Sequence, residues 1–452
     1  MKMTRTRSAL LGSGAAIALL AAQVPAAADE MEELRTQIQS LQNKMGKLEA
    51  TQRRKRQVAP AAAVEAGAKP RSWKLPGTNT SMQIGGYAKL DLIYDVNAQG
   101  GDSIGTTAAG IVAVDGTAAG NRQGHFRLHA RQSRFWIRTW TPTDWGELET
   151  HIQGDFFGAG GNQIVSNSDT FRARHLYGRL GPVLAGQTWS TFMILEALPD
   201  VLDFSGPAGV PFVRQAQLRY THSFGGGTTF VFSIENPDTS PTTAFNNTGP
   251  SVAPLTVGND TMPEIVVGLS HTWGSGRASI RAIFRRLNYD DGIAASDSAF
   301  GWGIHGGFGW RFNNRRTAIG MSAYFGRGLG RHTLASGNAI GVVANGTDPS
   351  RFNLRTVAQY GGQVWIQHRW TDTLRSSLVY GRIRNDYVQQ VTGGKNAGGS
   401  AVQDYWTVHA NLIWRPVPRV DIGVEYIYGF NGLVNSANGE LHRIQVSFKY
   451  NF

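Results

Sequence analysis

Arginine supplies almost all the positive charge in the main part of this chain. After residue 71, lysine occurs only at positions 74, 89, 395 and 449, and every other cation is a guanidinium. A planar guanidinium with five N–H donors suits bidentate contacts with carboxylate or phosphate groups. In "RASIRAIFRR" the residues Arg277, Arg281 and Arg285 share one strand face. This pattern indicates anion contacts and ion-pair ladders.

Hydrolytic chemistry is the main alternative that the residue types allow. A hydrolase needs a Ser or Thr nucleophile beside a His, with an orienting acid or amide. The local candidates are Ser270-His271 and the set Thr407, His409 and Asn411. Adjacent residues of a strand point to opposite faces, which weakens the first candidate. We expect no enzyme, and His409 is better explained as a polar group of a barrel interior.

Cofactor and metal signals are weak. "GWGIHG" matches G-x-G-x-x-G but lies inside an alternating segment without a following helix, which argues against nucleotide binding. The 11 His residues lack metal-like spacing, and Cys 0 excludes thiolate sites and disulfides. We expect no metal and no cofactor.

Alternating segments that begin near residue 84 must position these side chains. "ELETHIQGDF" places Leu148 and Ile152 on one face and Glu149, Gln153 and Asp155 on the other. Each segment is about long enough to cross a bilayer as a tilted strand. We count sixteen, beginning near residues 84, 125, 146, 171, 182, 213, 227, 263, 277, 299, 316, 355, 373, 402, 419 and 441.

The connections fall into two classes, and their alternation predicts a closed barrel. Short turns such as "TPTDWG", "WGSGR" and "RPVPR" alternate with long polar loops such as 97–124, 237–261 and 328–353. That asymmetry is typical of outer-membrane barrels. The final segment "RIQVSFKYNF" would pair with the first and remove both sheet edges. Tryptophans near the proposed turns, Trp136, Trp140, Trp145, Trp273, Trp310, Trp370 and Trp414, are predicted to form a membrane-interface belt.

The N-terminal region predicts export and a helix. Basic residues precede an apolar run and Ala26-Ala27-Ala28, which indicates a signal peptide over residues 1–28. A heptad seam follows at Met31, Leu34, Ile38, Leu41, Met45 and Leu48. It predicts a coiled-coil helix over residues 29–57, followed by an Ala/Pro-rich linker over 58–80 and the barrel over 81–452. The heptads do not fix the number of strands in the coiled coil.

The formal net charge of +12 does not indicate a nucleic-acid partner. Half of the excess lies in residues 1–71, outside the predicted barrel. Recognition helices, aromatic RNA-binding motifs and zinc-finger spacings are missing from the sequence. The remaining functional classes are a channel, a barrel enzyme and a structural tether of the cell envelope.

Several longer stretches carry a family resemblance. "LAGQTWSTFMILEALPDVLDFSGPAGVPFVRQAQLRYTHSF", "ARQSRFWIRTWTPTDWGELETHIQGDFFG", "FRARHLYGRLG" and "ANLIWRPVPRVDIGVEYIYG" resemble the DcaP-like family of trimeric outer-membrane porins. The resemblance implies a sixteen-stranded all-β barrel, a homotrimer, a periplasmic helical bundle, and passive uptake of small anions including dicarboxylates. Phe452 similarly resembles the signal read by the barrel-assembly machinery.

The resemblance also implies a constriction loop. Porins of this type fold their third loop into the lumen, which corresponds here to residues of about 190–212, with acids Glu196, Asp200 and Asp203. The opposing lumen-facing candidates are Arg134, Arg138, Arg172, Arg174, Arg219, Arg281 and Arg285. Arginines that face a few acids create a transverse field, which favours anions when the basic side dominates. We expect about half of these arginines to brace the loop or wall, because barrel interiors need paired charges.

Overall fold

The computed structural model describes a helix and a β-barrel as two compact units that divide after Glu65. The described residues are 26–57, 64–98, 100–101, 112–158, 166–167, 169–239, 259–290, 296–336, 342–345, 353–386 and 402–452. The predicted signal peptide, except for its last three residues, lies outside these ranges. Residues 58–63 of the predicted linker and parts of the long loops also lie outside them.

Helix α1 extends over Ala26–Gln57 and begins three residues before the predicted start. The six apolar residues of the heptad seam are 50% to 65% exposed along one side of this helix. Polar residues fill the positions between them, so the helix has an apolar stripe without a covering partner in the single chain. In the ranges that the structure describes, no helix is both long and apolar enough to span a membrane.

The second unit is built from strands with short helical turns. The strands are β1 Trp73–Lys74, β2 Ser81–Asn97, β3 Gln123–His129, β4 Arg134–Thr143, β5 Gly146–Asp155, β6 Arg172–Leu180, β7 Val183–Trp189, β8 Arg214–Gly225, β9 Thr228–Glu235, β10 Glu264–Trp273, β11 Gly276–Asp290, β12 Ser296–Phe312, β13 Thr317–Arg327, β14 Val342–Asn345, β15 Asn353–Thr356, β16 Ala358–Arg369, β17 Leu374–Asp386, β18 Val402–Trp414, β19 Val420–Leu433 and β20 Asn438–Asn451. Two 3₁₀ segments, Leu195–Ala197 and Gly330–Ser336, lie in long loops.

The sheet closes into an antiparallel barrel of sixteen strands, as the alternating segments predict. Strands β3 and β4 both pair with β2 and together form the second barrel strand. The small strand β1 pairs with the start of β2, so part of the predicted linker is ordered. Strands β14 and β15 form a separate hairpin. Closure comes from β20, which pairs with β2 from Tyr87↔Asn451 to Asp95↔Arg443.

The closing seam is held by buried polar contacts on its inner face. Arg443 Nε donates to Asp95 Oδ1 at 2.7 Å, and both side chains are fully buried. Gln445 Nε2 donates to Asp91 Oδ1 at 2.9 Å in the next inward position. At the chain end, the Phe452 N–H donates to the Gly86 carbonyl at 3.1 Å. The last strand is therefore docked along its whole length.

The two connection classes are visible in the structure. Short turns join β4 to β5, β6 to β7, β8 to β9, β10 to β11, β12 to β13, β16 to β17 and β18 to β19. In the β8–β9 turn, Gly225, Gly226 and Gly227 all have positive φ, a conformation that residues with a Cβ adopt at a cost. The other ends of the strands carry the long loops. We call the two ends of the barrel the short-turn end and the loop end.

Side chains alternate between an apolar outside and a polar inside. On the closing strands, Val424 and Ile444 are exposed on the outer face, whereas Glu425 and Arg443 are buried on the inner face. Five of the seven predicted belt tryptophans are exposed near short turns: Trp145, Trp273, Trp310, Trp370 and Trp414. The prediction is wrong for Trp136 and Trp140. They share the inward face of β4 with Arg138, and Trp136 packs over Gly85 inside the barrel.

Candidate functional site

The segment between β7 and β8, residues 190–213, folds across the inside of the barrel, and we call it the inner loop. Its backbone contacts the opposite wall. The Leu202 N–H donates to Glu425 Oε2 at 2.7 Å, and Lys89 Nζ donates to the Leu202 carbonyl at 2.7 Å. Gln363 Nε2 donates to the Ala197 carbonyl at 2.6 Å. Inward polar side chains of distant strands thus satisfy the backbone groups of a buried loop.

The three acids of the inner loop are each neutralised locally. Glu196 accepts from Ser279 and lies 3.4 Å from Arg277 Nε. Asp200 Oδ2 accepts from Arg375 Nε at 2.7 Å. Asp203 is buried, with Arg443 Nη1 at 3.9 Å and the Ser205 N–H at 3.0 Å. The sequence predicted that these acids oppose the seven candidate arginines, but in the structure the cations that contact them are other arginines.

Other arginines gather around Asp155, on the wall formed by β4, β5 and β6. Asp155 at the end of β5 forms a bidentate pair with Arg172, in which Nε–Oδ1 and Nη2–Oδ2 are both 3.0 Å. Arg174 Nη1 reaches Asp155 Oδ2 at 2.5 Å. A register shift between Gln153 and Gly154 places both Arg174 and His175 toward the inside. One fully buried carboxylate therefore holds two guanidinium groups.

Two further arginines approach this pair, and neither forms an ion pair with an acid in the described ranges. Arg134 on β4 lies over the ring of Tyr87 at 5.1 Å, and its Nε has no hydrogen-bond partner. Arg214, at the start of β8, lies over Trp189 at 4.3 Å, and its Nη1 likewise has no partner. Arg214 is within electrostatic range of Arg134, Arg172, Arg174 and Asp155. We call Arg134, Arg172, Arg174 and Arg214 the arginine cluster.

The arginine cluster carries excess positive charge on an aromatic support. Its four guanidiniums face one carboxylate, that of Asp155. Phe204 of the inner loop lies 5.3 Å from the Arg172 guanidinium and 5.6 Å from that of Arg174. Ring faces stabilise cations and hold the guanidiniums in place without consuming their N–H donors. The arrangement can bind an anion reversibly.

Two predicted arginines continue the basic lining toward the short-turn end. Arg138 lies four residues beyond Arg134 on β4, over the ring of Trp136 at 5.1 Å. Arg219 on β8 donates from Nε to Gln217 Oε1 at 2.9 Å. Neither makes a salt bridge to a described residue. Arg219 Nη2 also donates to the Trp189 carbonyl, so Arg219 is partly bound to the wall.

Arg281 and Arg285 are bound to the wall on the other side of the barrel. Arg281 Nη1 donates to the Leu269 carbonyl at 2.6 Å, and its Nη2 donates to Ser270 Oγ at 2.7 Å. Arg285 pairs with Glu264 at 2.6 Å and donates to the Gly328 and Leu329 carbonyls at 2.7 Å each. Apart from Arg281 Nε, which has no hydrogen-bond partner among the described residues, the donors described here are bound to protein acceptors, so the two side chains brace the wall and a loop.

The loop segment next to Arg285 is held by a histidine. His332 Nε2 lies 2.8 Å from Glu264 Oε2, and the ring packs edge-on against Phe192 of the inner loop at 5.8 Å. Burial lowers the pKa of His332, although the Glu264 carboxylate opposes that shift. The Nε2 atom is within hydrogen-bond distance of the Glu264 carboxylate, which can only accept. The contact ties a second inward segment to the inner loop.

Sequence reasoning missed three basic residues that line the same space. Lys449 Nζ lies 4.4 Å from the centre of the Tyr87 ring, whose face is also contacted by Arg134. Lys89 pairs with Asp91 at 3.0 Å and is register partner of Lys449. The alternation in "RIQVSFKYNF" already places Lys449 on the polar face, so it could have been found. Arg214 had no such signal, because it stands where loop and strand meet.

The hydrolase candidates do not form an accessible site. Ser270 is buried and points inward, whereas His271 is exposed on the outer face. Thr407, His409 and Glu425 do line up, with Thr407 Oγ1–His409 Nε2 at 3.2 Å and His409 Nδ1–Glu425 Oε1 at 3.1 Å. All three are fully buried, and Thr407 Oγ1 accepts the Ala208 N–H of the inner loop at 3.0 Å. This series of hydrogen bonds anchors the inner loop.

The described residues contain no group of three or more His, Asp and Glu side chains arranged to hold a metal ion. The described part of the chain thus offers a polar interior with a basic cluster.

Comparisons with known proteins agree with this architecture. The family model described as "DcaP outer membrane protein" matches residues 17–452. No curated protein sequence matches the chain. Among solved structures, the outer membrane channel DcaP of Acinetobacter baumannii is similar at a TM-score of 0.68 with 22% identity, covering 86% of this chain and all of that one. The trimer form of OmpT, an outer membrane protein of Vibrio cholerae, is similar at a TM-score of 0.50 with 9% identity, covering 82% and 99%.

Proposed function

The chain belongs to the DcaP outer membrane protein family, and we propose that it is a passive diffusion channel for small hydrophilic solutes that prefers anions, including dicarboxylates. The observation that carries this proposal is the arginine cluster beside the inner loop, where four guanidiniums surround a single carboxylate. Fixed charge in a narrow lumen with low-dielectric walls selects the sign of the permeating ion. No enzymatic step is needed.

The acids of the inner loop do not cancel this field. Each of the three, Glu196, Asp200 and Asp203, lies within 4 Å of an arginine outside the cluster. The positive charge of the cluster therefore acts on solute over distances shorter than the Debye length of about 8 Å at physiological salt. A monovalent anion gains from this field, and a divalent anion gains about twice as much at the same position.

Dicarboxylates fit the distribution of guanidiniums that hold no acid. Arg134 and Arg214 form no ion pair with a described carboxylate, and they lie on different strands on either side of the Arg172–Arg174 pair. Two carboxylates of one small molecule can engage separate guanidiniums through charge-assisted hydrogen bonds. Because Asp155 already occupies Arg172 and Arg174, affinity should stay modest, and rapid release is required for transport.

Single-channel recording in planar bilayers tests the proposal. We expect steady ion conductance and brief, concentration-dependent closures when succinate is added. The double variant Arg134→Gln/Arg214→Gln should shorten these closures, because it removes the two guanidiniums that hold no acid. The matched control Arg315→Gln/Arg316→Gln removes two charges from a short turn and should behave like the wild type. A protein that does not conduct would exclude a channel and favour a tether or an enzyme.

The proposed assembly is a homotrimer. Strands β4, β5, β6 and β7 contain 10, 10, 9 and 7 residues, whereas β12 contains 17 and β19 contains 14. A tilted strand of seven residues spans only about 16 Å, which is less than the apolar band of about 25 Å around a membrane barrel. Neighbouring copies would cover this low wall, whose outer face carries the stacked pair Phe135 and Phe171 at 5.2 Å.

The helix and the C-terminus have roles in the same proposal. The exposed seam of α1 would associate with two identical helices in the periplasm as a short coiled coil. Phe452, exposed at the end of the closing strand, would be read by the barrel-assembly machinery before membrane insertion. Native mass spectrometry of the mature protein should give a trimer. A monomer at micromolar concentration would contradict this assembly.

A further inference from the structure

A groove on the outer surface of the barrel has no role in solute passage. It lies along β13, β16 and β17, where Gly361 and Gly362 leave the wall without side chains, and its volume is about 540 Å³. Tyr360 and Tyr380 border it, and Val364 lines its apolar part. The groove is open along one side. It can accommodate an extended hydrocarbon chain lying against the wall.

The loop end of the groove carries two guanidiniums. Arg382 and Arg384 follow Tyr380 at two-residue spacing on the outward face of β17, and their side chains are 48% and 36% exposed. Arg382 binds Asp404 through Nε at 2.8 Å and Nη2 at 2.5 Å. Tyr380 accepts a further hydrogen bond from Arg382, and a guanidinium has five N–H donors, so at most two donors of Arg382 remain for another acceptor. Arg384 contacts Asp386 through Nε at 3.2 Å, and its Nη1 lies 3.9 Å from Asp404 Oδ2, a distance at which a closer acceptor can still take an Nη hydrogen.

The depth of these arginines relative to the membrane follows from the aromatic residues around them. The outward ring of Trp406 packs against Tyr428 at 5.0 Å, Phe430 at 5.6 Å and Tyr380 at 6.2 Å. Aromatic girdles of membrane barrels lie at the level of the lipid head groups. Arg384 and Asp386 lie beyond this cluster toward the long loops, which face the cell exterior in barrels of this class.

The surrounding wall has the properties of a lipid-facing surface. Its strands are long, with 17 residues in β12, 12 in β16 and 13 in β17, enough to cross the hydrocarbon layer. Arg286 on β11 and Arg327 on β13 are also exposed on the outward face at the loop end. Four outward arginines, on β11, β13 and β17 of the same wall, thus lie at the loop end above an apolar surface.

We propose that the groove and the Arg382–Arg384 pair bind a phosphorylated glycolipid of the outer leaflet, with one acyl chain in the groove and a phosphate on the two guanidiniums. Charge complementarity and depth carry this choice of occupant. A phosphate offers several acceptor oxygens for the unused N–H donors, and the groove continues from the guanidiniums toward the membrane interior. This binding goes beyond solute passage, since the site lies on the outside of the barrel.

The test uses the full mature protein purified in detergent and native mass spectrometry with added lipid A. Wild-type protein should bind lipid A carrying two phosphates and should bind the dephosphorylated form much more weakly. The double variant Arg382→Ala/Arg384→Ala should lose about thirtyfold in affinity, because each basic residue near an anionic lipid surface contributes about fivefold. The control Arg315→Ala/Arg316→Ala removes the same charge at the short-turn end and should bind like wild type.

A single variant keeps the test valid if the double variant folds poorly. Arg384→Ala leaves the Arg382–Asp404 pair intact and should lose about fivefold. Equal lipid binding by wild type and Arg384→Ala, or equal binding of both lipid forms, would overturn the proposal. Displacement of lipid A by millimolar inorganic phosphate alone would show that the groove adds nothing and would also overturn it. A change in oligomeric mass on mutation would assign the groove to a second copy of the chain instead.

Discussion

Replacing Asp155 by Asn should make the channel more anion-selective. Asp155 is the carboxylate that the arginine cluster surrounds, and it binds Arg172 and Arg174. Asn keeps an oxygen in the Oδ1 position, which accepts from the Phe157 N–H at 3.1 Å and the Arg172 Nε at 3.0 Å. The substitution therefore removes one negative charge from the cluster and preserves two of its hydrogen bonds.

The size of the effect follows from Coulomb's law. For a monovalent anion about 6 Å from the former carboxylate, removing that repulsion is worth about 0.7 kcal/mol at a dielectric constant of 80 and about 2.8 kcal/mol at 20. These limits correspond to an increase of about threefold to about a hundredfold in anion occupancy. A monovalent cation loses the same amount, so the permeability ratio changes in the same direction.

The same substitution should also lower stability. Breaking a buried ion pair costs about 3–5 kcal/mol, and we expect the lower end because the Arg172 side chain is 33% exposed. The substitution should raise anion selectivity but lower the amount of folded channel, so selectivity must be measured on folded protein. Heat resistance of the purified oligomer on a gel selects the folded fraction.

Reversal potential in a KCl gradient measures the permeability ratio of Cl⁻ to K⁺ directly. Asp372→Asn is the matched control, because Asp372 is 99% exposed in a short turn and lies 3.8 Å from Arg316. It removes the same charge far from the arginine cluster and should leave the ratio unchanged. An unchanged or lower ratio in folded Asp155→Asn would refute the reasoning and show that the cluster only braces the wall.

Three further results are expected. Arg285→Ala should lower the free energy of unfolding by about 3–5 kcal/mol in detergent, because Glu264 loses its buried partner. Selectivity should stay unchanged in the folded protein. A large change in selectivity without a loss of stability would contradict the bracing role. Deletion of residues 29–57 should remove the helical circular dichroism signal and leave a trimer, since barrel walls bury more surface than short heptads, and a monomeric product would contradict this. Deletion of Phe452 should reduce insertion in cells while refolding in detergent stays near normal, and equal cellular yields would contradict the proposed assembly signal.

The strands and their faces could be predicted because their signal is local. Alternation with a period of two residues is visible within ten residues of sequence, and it placed Gln153 and Asp155 inside and Ile152 outside as the structure does. The same rule should have placed Trp136 inside with Arg134 and Arg138. Proximity to a turn indicates an interface position only for outward residues, and strand parity decides the face, so the belt prediction is wrong for Trp136.

The partners of the buried charges could not be predicted because they depend on closure of the ring. Arg443 pairs with Asp95, 348 residues away, only because β20 docks on β2. The Leu202 N–H of the inner loop meets Glu425 because the loop crosses the barrel. Whether an inward arginine contacts solute or braces a loop thus depends on contacts between segments that are distant in sequence.

Arg285 and Arg214 show the two ways in which strand parity fails to identify the arginines of the cluster. Arg285 faces inward as its strand parity predicts, but its donors are taken by Glu264 and by the Gly328 and Leu329 carbonyls of a loop. Arg214 gave no periodic signal because it stands at the junction of loop and strand, and it nevertheless joins the arginine cluster. Parity identifies which residues face the lumen, and tertiary contacts decide which of them remain free.

The reversal potential of the wild-type channel in a KCl gradient tests the central claim most directly. With the arginine cluster as the dominant fixed charge, Cl⁻ should carry more current than K⁺, and the preference should weaken as salt rises and screens the guanidiniums. The Arg134→Gln/Arg214→Gln variant should shift the reversal potential toward zero. A wild-type channel selective for K⁺, or a Cl⁻ preference that the double variant leaves unchanged, would contradict the account.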